Sequence, residues 1–202
     1  MKSLRCVGYN DQTSFVKLRS VSSRTRTSGG GLSSACKLSS VASIRGCQIL
    51  VAIIAVTSRE VSGVGAELLL DTGPLVALLD AAERRHGDCV EVLSGWDGRL
   101  VTTEPVVTEA AYLLGSAGVD GSLALRFCLQ GGAVVQPWTD ERASRAVDLM
   151  RKYHDVPMDY ADASLVALAE ELGTPQVFTL DLRGFRAYRW KSRRSFQIFP
   201  SA

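Results

Sequence analysis

Four stretches of the chain each bring an acidic side chain to the edge of an apolar run: Leu68-Leu69-Leu70-Asp71, Val106-Val107-Thr108-Glu109, Met158-Asp159-Tyr160-Ala161-Asp162-Ala163-Ser164-Leu165 and Val177-Phe178-Thr179-Leu180-Asp181. An ionised carboxylate loses hydration beside apolar surface, so several of them converging would need a cation to hold them together. Mg2+ and Mn2+ are hard ions that prefer oxygen ligands. Three or four carboxylates can hold one or two such ions and leave positions open for substrate. That arrangement suits phosphodiester hydrolysis, in which a bound ion generates a nucleophile from water at neutral pH and a second stabilises the leaving oxygen.

Each acid also has a plain structural reading. Asp71 can cap a helix starting near Pro74, and Asp162 can pair with a nearby Arg. Capping does not account for Glu109, which sits inside an apolar helical pattern, nor for two different strands that both end in Asp. Other chemistries fit less well. There is no G-x-x-x-x-G-K-[ST] loop, and Gly63-Val64-Gly65 precedes a strand instead of following one. A phosphoaspartyl transferase would want a second Asp at position 73, which is Gly73, and His86 and His154 lie in polar surroundings with no Ser or Cys motif beside them.

The elements that must position these acids follow from periodicity. Leu68–Leu70 reads as a buried strand ending at Asp71, then a helix with Pro74 near its first position. A second helix spans about His86 to Trp96, and Arg99–Thr103 is a strand. Glu104-Pro105 opens a helix carrying Val106, Val107, Ala110, Leu113 and Leu114, with Glu109 interrupting its apolar face. A helix over about Ser122–Gln130 stops at Gly131-Gly132; Ala133–Gln136 is a strand, and Asp140–Tyr153 an amphipathic helix. Asp159–Leu172 forms the most helix-like segment, with Leu165, Leu168, Ala169 and Leu172 on one stripe, Gly173 as its stop, and Asp159 and Asp162 sharing a face. Gln176–Leu180 is a strand ending at Asp181, and Phe196–Phe199 a last edge strand. Strands alternating with helices predict an α/β protein, a three-layer α/β/α sandwich around a mostly parallel sheet. Ligands then collect outside the carboxyl ends of the strands.

The 202-residue chain is 46% hydrophobic, enough to build a core, and its charge is unevenly spread. Residues 1–66 hold nine Lys/Arg against two Asp/Glu, whereas residues 67–202 hold 14 against 19. The first 66 residues are basic and rich in Ser, Arg and Gly, and read as an unpacked extension, a transit-peptide-like or nucleic-acid-binding arm, or residues upstream of a true start near Val61 or Val64. The apolar run Ile49–Val56 is far short of the ~20 residues that span a bilayer. Five cysteines without a C-x-x-C pair argue against a disulfide framework or zinc site, and Cys89 and Cys128 read as buried hydrophobes of a cytoplasmic protein.

The four acid-bearing stretches, in this order and over about residues 67–200, resemble the motifs of PIN-domain ribonucleases, including VapC-type toxins. The resemblance implies a PIN-like α/β/α domain over residues 67–202, binding Mg2+ or Mn2+ and cleaving single-stranded or looped RNA. Asp71, Glu109, Asp162 and Asp181 fall on the family's metal-binding and catalytic acids, while Asp159 and Thr179 take supporting roles. The chain departs from the family pattern at Gly184, where an acid is common, and this bears on occupancy by a second metal. The resemblance further implies a homodimer silenced by a cognate antitoxin, with no membrane association. A standalone housekeeping ribonuclease, or a non-catalytic RNA-binding protein on the same fold, would share the motifs.

Near the C-terminus, Arg183, Arg186, Arg189, Lys191, Arg193 and Arg194 interleave with Tyr188 and Trp190. Cations contact phosphates and aromatics stack on unpaired bases, so this segment is a candidate RNA-binding edge. Its alternative is a solvated loop that protects an edge strand.

Overall fold

The structure, a computed structural model, describes residues 66–201 apart from Ser192; the expectations for residues 1–65 lie outside the described residues. Strand β1 (Glu67–Leu70) buries Leu68, Leu69 and Leu70 completely. Successive strand side chains point to opposite faces, so full burial of three in a row means that both faces of the sheet are covered. β1 lies between β2 (Arg99–Thr103) and β4 (Gln176–Phe178), with β3 (Val134–Gln136) and β5 (Gln197–Phe199) at the edges. The order is β3-β2-β1-β4-β5, and every pairing within this sheet is parallel, the last edge strand included. In register, Leu69 stands opposite Val101 on one side and Val177 on the other.

Seven helices among the described residues connect the strands: α1 (Thr72–Leu79), α2 (His86–Gly95), α3 (Glu104–Ser116), α4 (Ser122–Leu129), α5 (Asp140–Lys152), α6 (Tyr160–Leu172) and α7 (Leu182–Ala187). None is long and apolar enough to cross a membrane. The chain runs outward from β1 to β3, then returns across the sheet through α5 and α6 to enter β4 on the other side of β1. This reversal between β1 and β4 is the switch point where sheets of this kind leave an open crevice.

α6 departs from the single stripe expected of it. Ala161 and the run Ala163–Ala169 are buried, because the helix packs on α3, α5 and β2 at once. Its small residues allow that crowding, and Ser164 Oγ approaches Thr103 Oγ1 to 2.6 Å at the end of β2. Its polar face is tied to α5 by Arg142–Glu171 and Arg145–Glu170 ion pairs, each 2.7 Å. Gly173 ends the helix in the left-handed region, φ +73°, which a residue without Cβ enters without strain. Cys89 is buried and Cys128 partly so, both as free thiols.

One expectation near the C-terminus needs correction, and one helix there is new. β4 ends at Phe178, two residues earlier than periodicity suggests, and residues 182–187, to which periodicity assigns no element, form α7. Glycine disfavours a helix interior by about 1 kcal/mol and a six-residue helix has little stability of its own, so the sequence signal was weak. Tertiary burial of Phe185 and Tyr188 supplies what local propensity lacks.

Candidate active site

Asp71 is the first residue beyond β1. Its N–H donates to Phe178 O, extending the β1–β4 ladder by one bond, and its carboxylate caps α1 by accepting from Thr72 N–H at 2.7 Å. The second oxygen, Oδ2, accepts from Thr179 Oγ1 at 2.6 Å. The capping reading of Asp71 therefore holds, and the oxygen not used in the cap is held by Thr179. Thr179 is buried just past β4, and its hydroxyl also accepts the N–H of Asp181 at 2.9 Å. One threonine hydroxyl thus connects the acids that follow two neighbouring strands.

Glu109 lies in the second turn of α3, and its Oε2 accepts from Thr72 Oγ1 at 2.7 Å. Asp162 is in the first turn of α6; its N–H donates to Asp159 Oδ1 at 2.9 Å, which makes Asp159 the N-cap of that helix. Asp162 Oδ2 accepts from Tyr188 Oη at 3.1 Å. Asp181 caps α7 by accepting from the N–H groups of Arg183 and Gly184. None of the ion pairs among the described residues involves these five acids.

Burial first, and the neighbouring like charges second, set the electrostatics. Burial pushes the Asp71 carboxyl up to about 6 against the hydrogen bonds from Thr179 and Thr72, and the charges of Glu109 and Asp159 add to the rise. Burial also pushes Asp162 up to about 8, with Asp71, Asp159 and Asp181 contributing repulsion and the Tyr188 hydrogen bond opposing it. Among the described residues no three Asp, Glu, His or Cys side chains are drawn into a closed ligand cluster. The donor set is all oxygen and unneutralised by cations, which fits a hard divalent ion. Neither histidine contributes: His86 Nδ1 pairs with Ala77 O, and His154 faces Asp155.

The basic segment divides. Arg183, Arg186, Lys191, Arg193 and Arg194 are exposed. Arg189 turns inward and donates to the carbonyls of Arg186, Ala187 and Tyr188 at the end of α7. Trp190 is only 4% exposed and donates to Ser195 O, with Lys191 and Arg194 over its ring at 5.3 and 5.2 Å. Expected to stack on bases, it is instead a packed anchor of the turn that carries the cations.

Two features were missed in the sequence. Tyr188 is completely buried with its hydroxyl on Asp162, a contact that no spacing rule reveals. A groove of about 680 Å³ opens beside Glu109 and Asp159, and Tyr112, Trp138 and Tyr160 line it. These aromatics come from three separate segments and are 73%, 58% and 40% exposed.

The parallel sheet of order 3-2-1-4-5 is that of a known family. The profile of the PIN domain family matches residues 68–191, more than half of the chain, and the chain is a member of that family. It is 34% identical over 135 residues to Ribonuclease VapC26 of Mycobacterium tuberculosis, covering 66% of this chain and 100% of that one. Among solved structures it is similar to the crystal structure of Mycobacterium tuberculosis VapC20, described as a sarcin-ricin loop cleaving toxin. The TM-score is 0.55 at 19% identity, over 57% of this chain and 91% of that one, a likeness of fold.

Proposed function

We propose that the chain is a Mg2+- or Mn2+-dependent endoribonuclease and the toxin of a VapBC-type toxin–antitoxin pair, acting in the cytoplasm. The observation that carries this reading is the group of carboxylates around the β1–β4 switch point, two of them pushed far above the usual carboxylate range with no ion pair to relieve them. Asp71, Glu109, Asp162 and Asp181 would hold the ion, which supplies activation of water and stabilisation of the leaving oxygen when bound. Thr179 and Thr72 orient Asp71 and Glu109 through their hydroxyls, Tyr188 orients Asp162, and Asp159 fixes the start of α6. Protons held by Asp71 and Asp162 leave as the ion binds. The exposed Arg183, Arg186, Lys191, Arg193 and Arg194 contact RNA phosphates.

Two partners complete the reading. A cognate antitoxin covers the acidic site, and a second copy of the chain covers an apolar surface. The exposed large hydrophobic residues among those described, including Tyr112, Leu113, Leu129, Val147 and Met150, all fall between residues 112 and 160. Leu113 on α3 and Val147 on α5 are the candidates for the surface that a second copy would cover. Induction in cells tests the toxin assignment: growth arrest relieved by a small neighbouring gene supports it, while unhindered growth with active enzyme favours a housekeeping ribonuclease.

A further inference from the structure

We infer that Tyr188 is a positioning residue for Asp162, and that position 184 is glycine because Tyr188 and Asp181 occupy the space where its side chain would lie. The inference rests on the metal-dependent reading above and concerns how this chain organises that site.

A Cβ built on Gly184 would lie 2.2 Å from Asp181 Oδ2 and 2.9 Å from both the hydroxyl and Cε2 of Tyr188, distances that real Cβ atoms essentially never show. The absence of a side chain lets two groups approach. The Gly184 N–H donates to both oxygens of Asp181 at 3.1 Å, and the Tyr188 hydroxyl passes alongside to reach Asp162. The Tyr188 ring cannot swing away. It is completely buried and packed edge-on against Tyr153 and Phe185, with centroids 5.2 and 5.4 Å distant.

The hydroxyl has one proton and two acceptors, Asp162 Oδ2 at 3.1 Å and Pro157 O at 3.2 Å. Sharing that proton between them, it sits between the carboxylate and the backbone just before Met158-Asp159, at the turn that opens α6. Among the described residues it is the sole hydrogen-bond donor to the Asp162 carboxylate. Asp71, in contrast, has two donors. A phenol orients a carboxylate without cancelling its charge, which is the property required of a group that holds a metal ligand from behind. An Arg or Lys there would compete with the ion.

Tyr188→Phe keeps the ring and removes only the donor. Mn2+ titration calorimetry on the full chain, thermal melting, and steady-state RNA cleavage test it, with Tyr153→Phe as the comparison. The Tyr153 hydroxyl accepts only the Arg189 N–H and does not reach the acids. We expect Tyr188→Phe to bind Mn2+ roughly tenfold more weakly and to lower kcat with KM for RNA unchanged, at a melting temperature close to wild type. Tyr153→Phe should bind Mn2+ as wild type does. Wild-type Mn2+ affinity in Tyr188→Phe overturns the inference and leaves the ribonuclease reading standing, as does an equal loss in both variants. A wild-type chain that binds no Mn2+ overturns both.

Discussion

Thr179 Oγ1 donates to Asp71 Oδ2 across 2.6 Å of space and 108 residues of sequence, while accepting the N–H of Asp181. The hydroxyl joins the ends of β1 and β4 at the switch point of the sheet and orients the most buried acid of the site.

Thr179→Val keeps the shape and removes both hydrogen bonds. Leaving buried polar groups unpaired costs about 1–3 kcal/mol each, so denaturant unfolding should show a loss of that size. Mn2+ affinity should fall roughly tenfold as Asp71 loses its fixed orientation. Unchanged stability and affinity would count against the role assigned to Thr179.

The two raised carboxyls set a pH dependence. Asp71 at about 6 and Asp162 at about 8 bind protons more tightly in the folded chain than at the ordinary value near 4 in the unfolded one. Folding without metal then takes up protons, and the contribution of these groups is full below the unfolded value and lost as pH rises through the folded ones. In EDTA, the melting temperature should fall between pH 5 and 9. Saturating Mn2+ should remove much of that fall, and its affinity should rise over the same range. A metal-free melting temperature that climbs towards pH 9 would contradict the assignment.

The basic segment should answer differently at different positions. Trp190→Ala opens a hole beside the turn and should cost about 3–5 kcal/mol of stability. Arg186→Ala and Arg193→Ala, both exposed, should leave stability unchanged, raise KM for RNA, and each lower the slope of log affinity against log salt by about 1. Equal effects from all three variants would remove the distinction between anchor and phosphate contact.

The apolar surface should show itself in mass. Light scattering should give twice the chain mass for wild type, and Leu113→Glu combined with Val147→Glu should give the single-chain mass, because both residues are at least 40% exposed in one chain. A monomeric wild type would exclude the second copy as the partner.

Much of this architecture is legible in the residues. β2 runs over Arg99–Thr103 as expected, and a Pro just inside α3 and a Gly just past α6 punctuate those helices where chain stereochemistry allows. The acids stand out because apolar runs end on them. What escapes is whatever depends on tertiary partners. The Tyr188–Asp162 contact joins residues 26 apart through a ring buried by α7, a helix that its own sequence barely specifies. Trp190 looks like a stacking residue among cations until the fold packs it. Tyr112, Trp138 and Tyr160 are separate in sequence and share a groove only because α3, the start of α6 and the segment after β3 meet.

Cleavage of single-stranded RNA by the wild-type chain, Asp71→Asn and Asp162→Asn, each with Mn2+ and with EDTA, decides whether these carboxylates and an ion perform the hydrolysis. Asn caps a helix about as well as Asp, so Asp71→Asn should fold. We expect ion-dependent cleavage by wild type and a loss of more than about 100-fold in both variants, beyond what removing a supporting group costs. Equal cleavage by all three proteins, or cleavage by wild type that persists in EDTA, would contradict it.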